Sequence, residues 1–197
     1  MKRTIHTLLA FVLINFSLAY GQKQAFIGIT GGINKSQIIG DTYKGFYKSG
    51  FDAGMFSRFR LSENSDLHLE LTVVNKGCSS KRINDTGKRS YFNILYYIQV
   101  PVLFRQIYKD FFFELGPGLG LLIWQLDYEH ASNDKQLSGK PQFTEQNMNA
   151  GIGYTVNDRF DFGLRYTHSI RPIRRLPSPQ YNSTISICAF YKLFFFP

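Results

Sequence analysis

Eight runs of this chain alternate between apolar and polar side chains, and the gaps between the runs are short and long in turn. Successive side chains on a β-strand point to opposite faces, so each run reads as a strand with one apolar face. The gaps at Glu63-Asn64-Ser65, Tyr108-Lys109-Asp110 and Asn157-Asp158-Arg159 are tight. The gaps over residues 37–49, 77–90, 127–143 and 171–180 are long and polar. A chain of this kind predicts an antiparallel meander with tight turns at one end and long loops at the other.

The fourth run is the clearest. Phe92, Ile94, Tyr96, Ile98, Val100, Val102 and Phe104 share one face, and Tyr91, Asn93, Leu95, Tyr97, Gln99, Pro101, Leu103 and Arg105 share the other. The fifth puts Phe111, Phe113, Leu115, Pro117, Leu119, Leu121 and Ile123 on one face. Its other face carries Phe112, Glu114, Gly116, Gly118, Gly120, Leu122 and Trp124. The alternate glycines give room for neighbouring side chains or let the sheet bend. They are not a dinucleotide fingerprint, which needs a helix after the glycines; here the strand continues. The remaining runs follow suit, with weaker first (about residues 25–36) and second (about 50–61) runs whose apolar sets are Ala25, Ile27, Ile29, Ile33 and Phe51, Ala53, Met55, Phe59, Leu61.

Which face lies inside decides the class. A soluble eight-stranded barrel of the lipocalin type keeps apolar residues inside to hold a ligand. Here the other face carries Arg58, Arg60, Glu70, Arg105, Glu114, Asp161, Arg165 and Lys192. So many charges suit a tight, ion-paired interior, and the continuous apolar face then needs lipid. The apolar face also collects aromatics near the tight turns, Phe59, Phe104, Phe111, Phe113, Phe160 and Phe195, in the manner of an interfacial girdle. The expected fold is all-β, an eight-stranded antiparallel up-and-down transmembrane β-barrel of the bacterial outer membrane. Its turns would face the periplasm and its loops the exterior. Arg58, Glu70, Arg105, Glu114, Asp161 and Arg165 are the candidate lumen charge network, with a structural role. Folding around Glu63-Asn64-Ser65 places Arg58 opposite Glu70, give or take one pairing step. A barrel of this size is just wide enough for side chains to fill it, which predicts a plug rather than a pore.

The first residues read as an export signal. Lys2 and Arg3 precede an apolar run from Leu8 to Leu18, too short for a spanning helix. Ala19-Tyr20-Gly21 supplies small residues for cleavage after Gly21, so residues 1–21 are the expected signal peptide and 22–197 the barrel domain. No Cys follows the site, which argues against a lipid anchor. Loss of Lys2 and Arg3 with the signal takes two from the formal charge of +9 and leaves +7. Solvated basic loops account for that excess, and no helix-turn-helix or zinc spacing points to nucleic acid. Lys76, Lys81, Arg82, Lys88 and Arg89 in the second loop and Arg171, Arg174 and Arg175 in the fourth could meet lipopolysaccharide phosphates. The expected partners are therefore outer-membrane lipid, lipopolysaccharide included, and other outer-membrane proteins. Cys78 and Cys188 fall at different heights on their strands and are expected to remain thiols.

No catalytic constellation stands out. His168 and Ser169 are adjacent on a strand and so point to opposite faces. His68 shares a face with Glu70 but has no nucleophile beside it. No metal-ligand spacing appears, and no cofactor is expected.

Several stretches resemble the PorT-like outer-membrane barrels of Bacteroidetes. Leu67-His68-Leu69-Glu70-Leu71 running into Asn75-Lys76-Gly77 is similar to that family's "PEL…QKG" strand. Tyr97-Ile98-Gln99-Val100-Pro101-Val102-Leu103 is similar to its "Y-x-E-I-P-x-L" strand, Phe113-Glu114-Leu115-Gly116-Pro117-Gly118 to its "G-P" strand, and Arg165-Tyr166 to a later "R-Y". Gln99 stands where the family often has an acid, and Pro197 follows the terminal aromatics. The resemblance implies the compartment and the fold, and links the family to secretion. With no catalytic constellation in the chain, the expected protein is a small non-enzymatic barrel with a structural, assembly or secretion-associated role, or an adhesion surface. The alternatives are a narrow passive channel and a barrel enzyme acting on lipid.

Overall fold

The computed structural model describes residues 25–41, 45–79, 91–129, 141–175 and 178–196. Residues 1–21, expected to be a signal peptide, the loop residues Lys81, Arg82, Lys88 and Arg89, and Pro197 lie outside the described residues. The strands are β1 (Ala25–Ile39), β2 (Lys48–Ser62), β3 (Ser65–Ser79), β4 (Tyr91–Tyr108), β5 (Phe111–Glu129), β6 (Thr144–Thr155), β7 (Phe160–Ser169) and β8 (Tyr181–Phe196). Each pairs antiparallel with the next, and β8 returns to β1, so the sheet closes into a barrel. Closure satisfies the backbone of every strand and leaves no edge, which is the condition for spanning hydrocarbon with a sheet.

The three tight turns follow from local chemistry. Lys109 takes a left-handed φ of 55° and reverses the chain between β4 and β5 in two residues. Asn157 Oδ1 accepts hydrogen bonds from the Arg159 and Phe160 amides at 2.9 Å each, an Asx-type turn. Ser62 and Ser65 bring their hydroxyls to 2.5 Å across the Glu63–Asn64 turn.

The predicted alternation is visible in burial. Along β3, Asp66, His68, Glu70 and Thr72 are buried. The outward set Ile29, Ile33, Met55, Val73, Val102, Leu115, Leu119, Ile152, Leu164 and Ile187 is exposed. An apolar belt of this extent is not a soluble surface. It is the lipid-facing band of a transmembrane barrel. Aromatics flank the band at both ends. Phe104, Tyr108, Phe111, Phe113 and Phe160 line the turn end, and Phe51, Tyr96 and Trp124 form a contact ladder at the loop end, with ring centroids 6.2 and 5.5 Å apart.

Two expected facings are corrected. Trp124 faces outward, because a bulge pairs Tyr97 with Leu122 but Tyr96 with Trp124. Ile123 is the extra residue, and one extra residue inverts the parity of everything beyond it. Phe195 leaves the outer girdle for the same reason. Gly28 pairs with Lys192 and Ile27 with Phe194, so Leu193 is extra and Phe195 turns toward Phe26 at the inner rim. Ala25 and Phe59 keep outward parity but are buried where they pair with each other.

Candidate functional site

The lumen is the place where this sequence gathers chemistry, and it is packed in layers. The central layer is a belt of charges. Asp161 on β7 meets Arg58 at 2.8 Å, Lys192 at 3.1 Å and Arg105 at 3.2 Å. Arg105 and Glu114 are direct partners in the β4–β5 register and are 3.0 Å apart. Arg165 on β7 grips two carboxylates at once. Its Nη1 and Nη2 donate to the two oxygens of Glu70 at 2.9 and 2.7 Å, and its Nε and Nη2 donate to Glu114 Oε1 at 2.7 and 2.5 Å. Glu70 Oε1 also lies 2.9 Å from His68 Nε2.

All six residues singled out from the sequence thus lie in one contiguous belt. The pairing within it differs from the expected one. Arg58 stands opposite His68, and Phe56 stands opposite Glu70. Arg58 therefore reaches Asp161, and Glu70 reaches Arg165, both across the barrel rather than along the hairpin.

Aromatic rings fill the space between the ions. The Arg105 guanidinium lies 3.7 Å above the Phe112 ring. Phe56 stacks on His68 at 5.1 Å and meets Phe190 edge-on at 5.7 Å. These charges are out of water and are tolerable only because nearly every one is paired. The glycines of β5 make room. A Cβ at Gly118 would strike the Asn147 side chain, and one at Gly120 would crowd Tyr97 and Glu145. On the loop side of the belt, Asp52, Thr72, Asn149, Thr167, Ser186 and Cys188 border a cavity of about 20 Å³, room for about one water molecule.

The next layer escaped the sequence reading. Lys76 Nζ pairs with Glu145 Oε2 at 2.6 Å and lies 4.6 Å from the Tyr97 ring centroid. Ser169 Oγ donates to Glu145 Oε1 at 2.5 Å, and Asn182 Nδ2 donates to it at 3.3 Å. Extending the β6 alternation two residues back from Asn147 would have placed Glu145 inside. Above lies an apolar cluster of Ile38, Cys78, Leu95, Tyr97 and Ile173. Ile173 comes from the fourth loop, and it and Arg174 are buried in the mouth. The Ile173 amide donates to the Gln180 carbonyl, and the Gln142 amide donates to the Ile173 carbonyl, both at 2.7 Å.

This arrangement corrects the loop assignments. Lys76 and Arg174, expected among the phosphate-meeting cations, are both 1% exposed. Lys76 has inward parity and Arg174 follows Ile173 into the mouth; only Arg171 and Arg175 of the described loop cations are exposed. His168 and Ser169 separate as expected. His168 is outside, 2.7 Å from the Ser183 hydroxyl and stacked between Tyr166 and Tyr181, whereas Ser169 is inside on Glu145. Cys78 and Cys188 sit in different apolar clusters and are not bridged. Among the described residues no group of three or more His, Cys, Asp or Glu side chains is placed to hold a metal.

At the turn end the lumen opens into a vestibule of about 600 Å³ beneath the charge belt.

A family comparison agrees with this architecture. The sequence profile of an outer membrane protein beta-barrel domain matches residues 19–175. No curated protein sequence matches the chain. Among solved structures, the attachment invasion locus protein Ail of Yersinia pestis is 16% identical, covering 87% of this chain and 99% of its own, with a TM-score of 0.48. Neisserial surface protein A is 13% identical, covering 86% and 97%, with a TM-score of 0.49. OprG from Pseudomonas aeruginosa is 13% identical, covering 87% and 96%, with a TM-score of 0.39. The chain belongs to the outer membrane protein β-barrel domain family, and it is a small eight-stranded barrel of the cell outer membrane.

Proposed function

We propose that this protein is a non-enzymatic, non-conducting barrel of the PorT-like type, with a structural, assembly or secretion-associated role. The observation that carries the reading is the layered filling of the lumen. The belt around Arg105 and Arg165, the Lys76–Glu145 pair and the Ile173 cluster each cross the barrel interior. A solute moving along the axis would have to break several buried ion pairs in succession, and breaking one such pair costs about 3–5 kcal/mol. The outer band contacts lipid, and Arg171 and Arg175 remain available to anionic headgroups at the loop end. Motifs such as Leu67–Leu71 and Tyr97–Leu103, together with the closed interior, support a role exercised through the barrel's surface and ends. The Ser169 hydroxyl is committed to Glu145 and has no imidazole beside it, which supports a non-catalytic reading.

The test is conductance of the purified, refolded protein in planar bilayers at neutral pH. The expected current equals that of the bare bilayer. Reproducible single-channel steps, abolished by heat denaturation of the protein, would replace this reading with the narrow passive channel.

A further inference from the structure

The open end of the lumen has features that packing alone does not explain. Its wall holds five cations, Arg58, Arg60, Lys109, Arg159 and Lys192, against three carboxylates, Asp66, Asp110 and Asp158, of which Asp66 is paired with Arg60 Nε at 2.8 Å. The next carboxylate inward, Asp161, is already divided among three cations. Low-dielectric walls focus the field of such an excess on the space they enclose. Two aromatic rings also face that space. Phe26 and Phe195 meet edge-on at 5.3 Å. Arg60 and Lys192 lie 5.9 and 5.8 Å from the Phe26 ring, and Arg159 lies 6.0 Å from the Phe195 ring.

Phe195 is the informative residue. Without the bulge at Leu193 its ring would sit in lipid at full hydrophobic advantage. The bulge instead turns it into a charged, aqueous mouth, where it stays 45% exposed. Bulges commonly re-aim a side chain toward a functional site. An exposed ring among under-neutralised cations suits a ligand with both an apolar and an anionic part. The volume of about 600 Å³ is that of a small-molecule pocket. The layers above make the vestibule blind, so its ligand comes from the turn end, the periplasmic end of an outer-membrane barrel.

We propose that this vestibule binds an organic anion, a carboxylate or phosphate carried on an apolar or planar body. Phe26 and Phe195 receive the body, and Arg159 and Lys109 receive the anionic group, beside Arg60, whose Nε is held by Asp66. The anion is either a free small molecule or the carboxyl end of a peptide chain. The site does not depend on which process the barrel serves; its access from the turn end alone rests on the packed, non-conducting lumen proposed above.

The experiment is titration of the isotope-labelled protein in lipid nanodiscs, followed by backbone amide shifts at residues 107–110, 155–159 and 192–195. The probes are 3-phenylpropionate, phenyl phosphate, inorganic phosphate, phenethylamine, and the tripeptide Gly-Gly-Phe with a free or an amidated C-terminus. Saturable shifts are expected with the two ring-bearing anions. Inorganic phosphate should bind about tenfold more weakly, equivalent to about 1.4 kcal/mol, and phenethylamine should give no saturable shift. Tighter binding of the free-acid tripeptide than of 3-phenylpropionate assigns the site to a chain end, and the reverse assigns it to a free anion. Arg159→Gln and Phe195→Leu, both at exposed positions, should each weaken binding several-fold while the unheated gel mobility of the folded barrel is kept. Arg175→Gln at the opposite end should leave it unchanged. Equal response to phenethylamine, no saturable shift with any probe, or unchanged affinity in both vestibule variants overturns the proposal.

Discussion

Removal of Arg165 is the perturbation that the lumen resists most. Its guanidinium makes four charge-assisted contacts, two to Glu70 and two to Glu114, at 2.5 to 2.9 Å. Arg165→Met keeps much of the volume and deletes the charge. Glu70 is then left with His68, and Glu114 with Arg105. Loss of one partner of a buried pair costs about 3–5 kcal/mol. Glu70→Gln is milder, because Arg165 keeps Glu114; losing a hydrogen bond to a charged group costs about 1.5–3 kcal/mol. Independent effects would sum to about 4.5–8 kcal/mol in the double variant. The double variant should instead cost little more than Arg165→Met alone, since the carboxylate that Arg165→Met strands is neutralised. The expected coupling is therefore about 1.5–3 kcal/mol. Urea unfolding in lipid vesicles, read by the fluorescence of Trp124, measures each corner of the cycle. An Arg58→Met/Glu70→Gln cycle is the comparison, and its coupling should be smaller, because Arg58 is held by Asp161. Additivity of the Arg165 and Glu70 losses within about 0.5 kcal/mol, or a larger coupling in the Arg58 cycle, would refute the cross-barrel pairing.

The remaining predictions concern single positions. Trp124 is the only tryptophan and faces outward at 48% exposure, so brominated lipids should quench the folded protein's tryptophan fluorescence strongly; an inward ring would be protected. A Cβ at Gly153 would overlap the Phe112 ring and the Phe162 carbonyl, so Gly153→Ala should destabilise by about 1–3 kcal/mol in urea unfolding, and an unchanged midpoint would contradict the packing. Ile173→Asp places a charge in the apolar cluster at the loop end, and should release the segment so that trypsin cuts at Arg174 on intact cells while the wild-type site resists.

Much of this protein was legible in its sequence because alternation is a local property. A period of two along Tyr91–Tyr108 depends only on backbone geometry, so the facing of Tyr97, Gln99 and Arg105 needs no knowledge of other strands. The same parity put Glu70, Glu114, Asp161 and Arg165 inside, and the demand of an outward apolar face for lipid set the compartment. Two kinds of fact were out of reach. The first is where parity breaks. The bulges at Ile123 and Leu193 carry no mark in composition, yet they decided that Trp124 meets lipid and that Phe195 enters the vestibule. The second is who pairs with whom. Glu70 and Arg165 are 95 residues apart, and their contact exists because ring closure and strand stagger bring β3 and β7 to one height across a narrow lumen. Hairpin register proposed Arg58 for Glu70, but the closed barrel offered each charge partners from the opposite wall as well. The burial of Arg174 has the same origin: a basic residue in a loop is solvated only if that part of the loop stands clear, and here Ile173 and Arg174 turn into the mouth that the eight strands create.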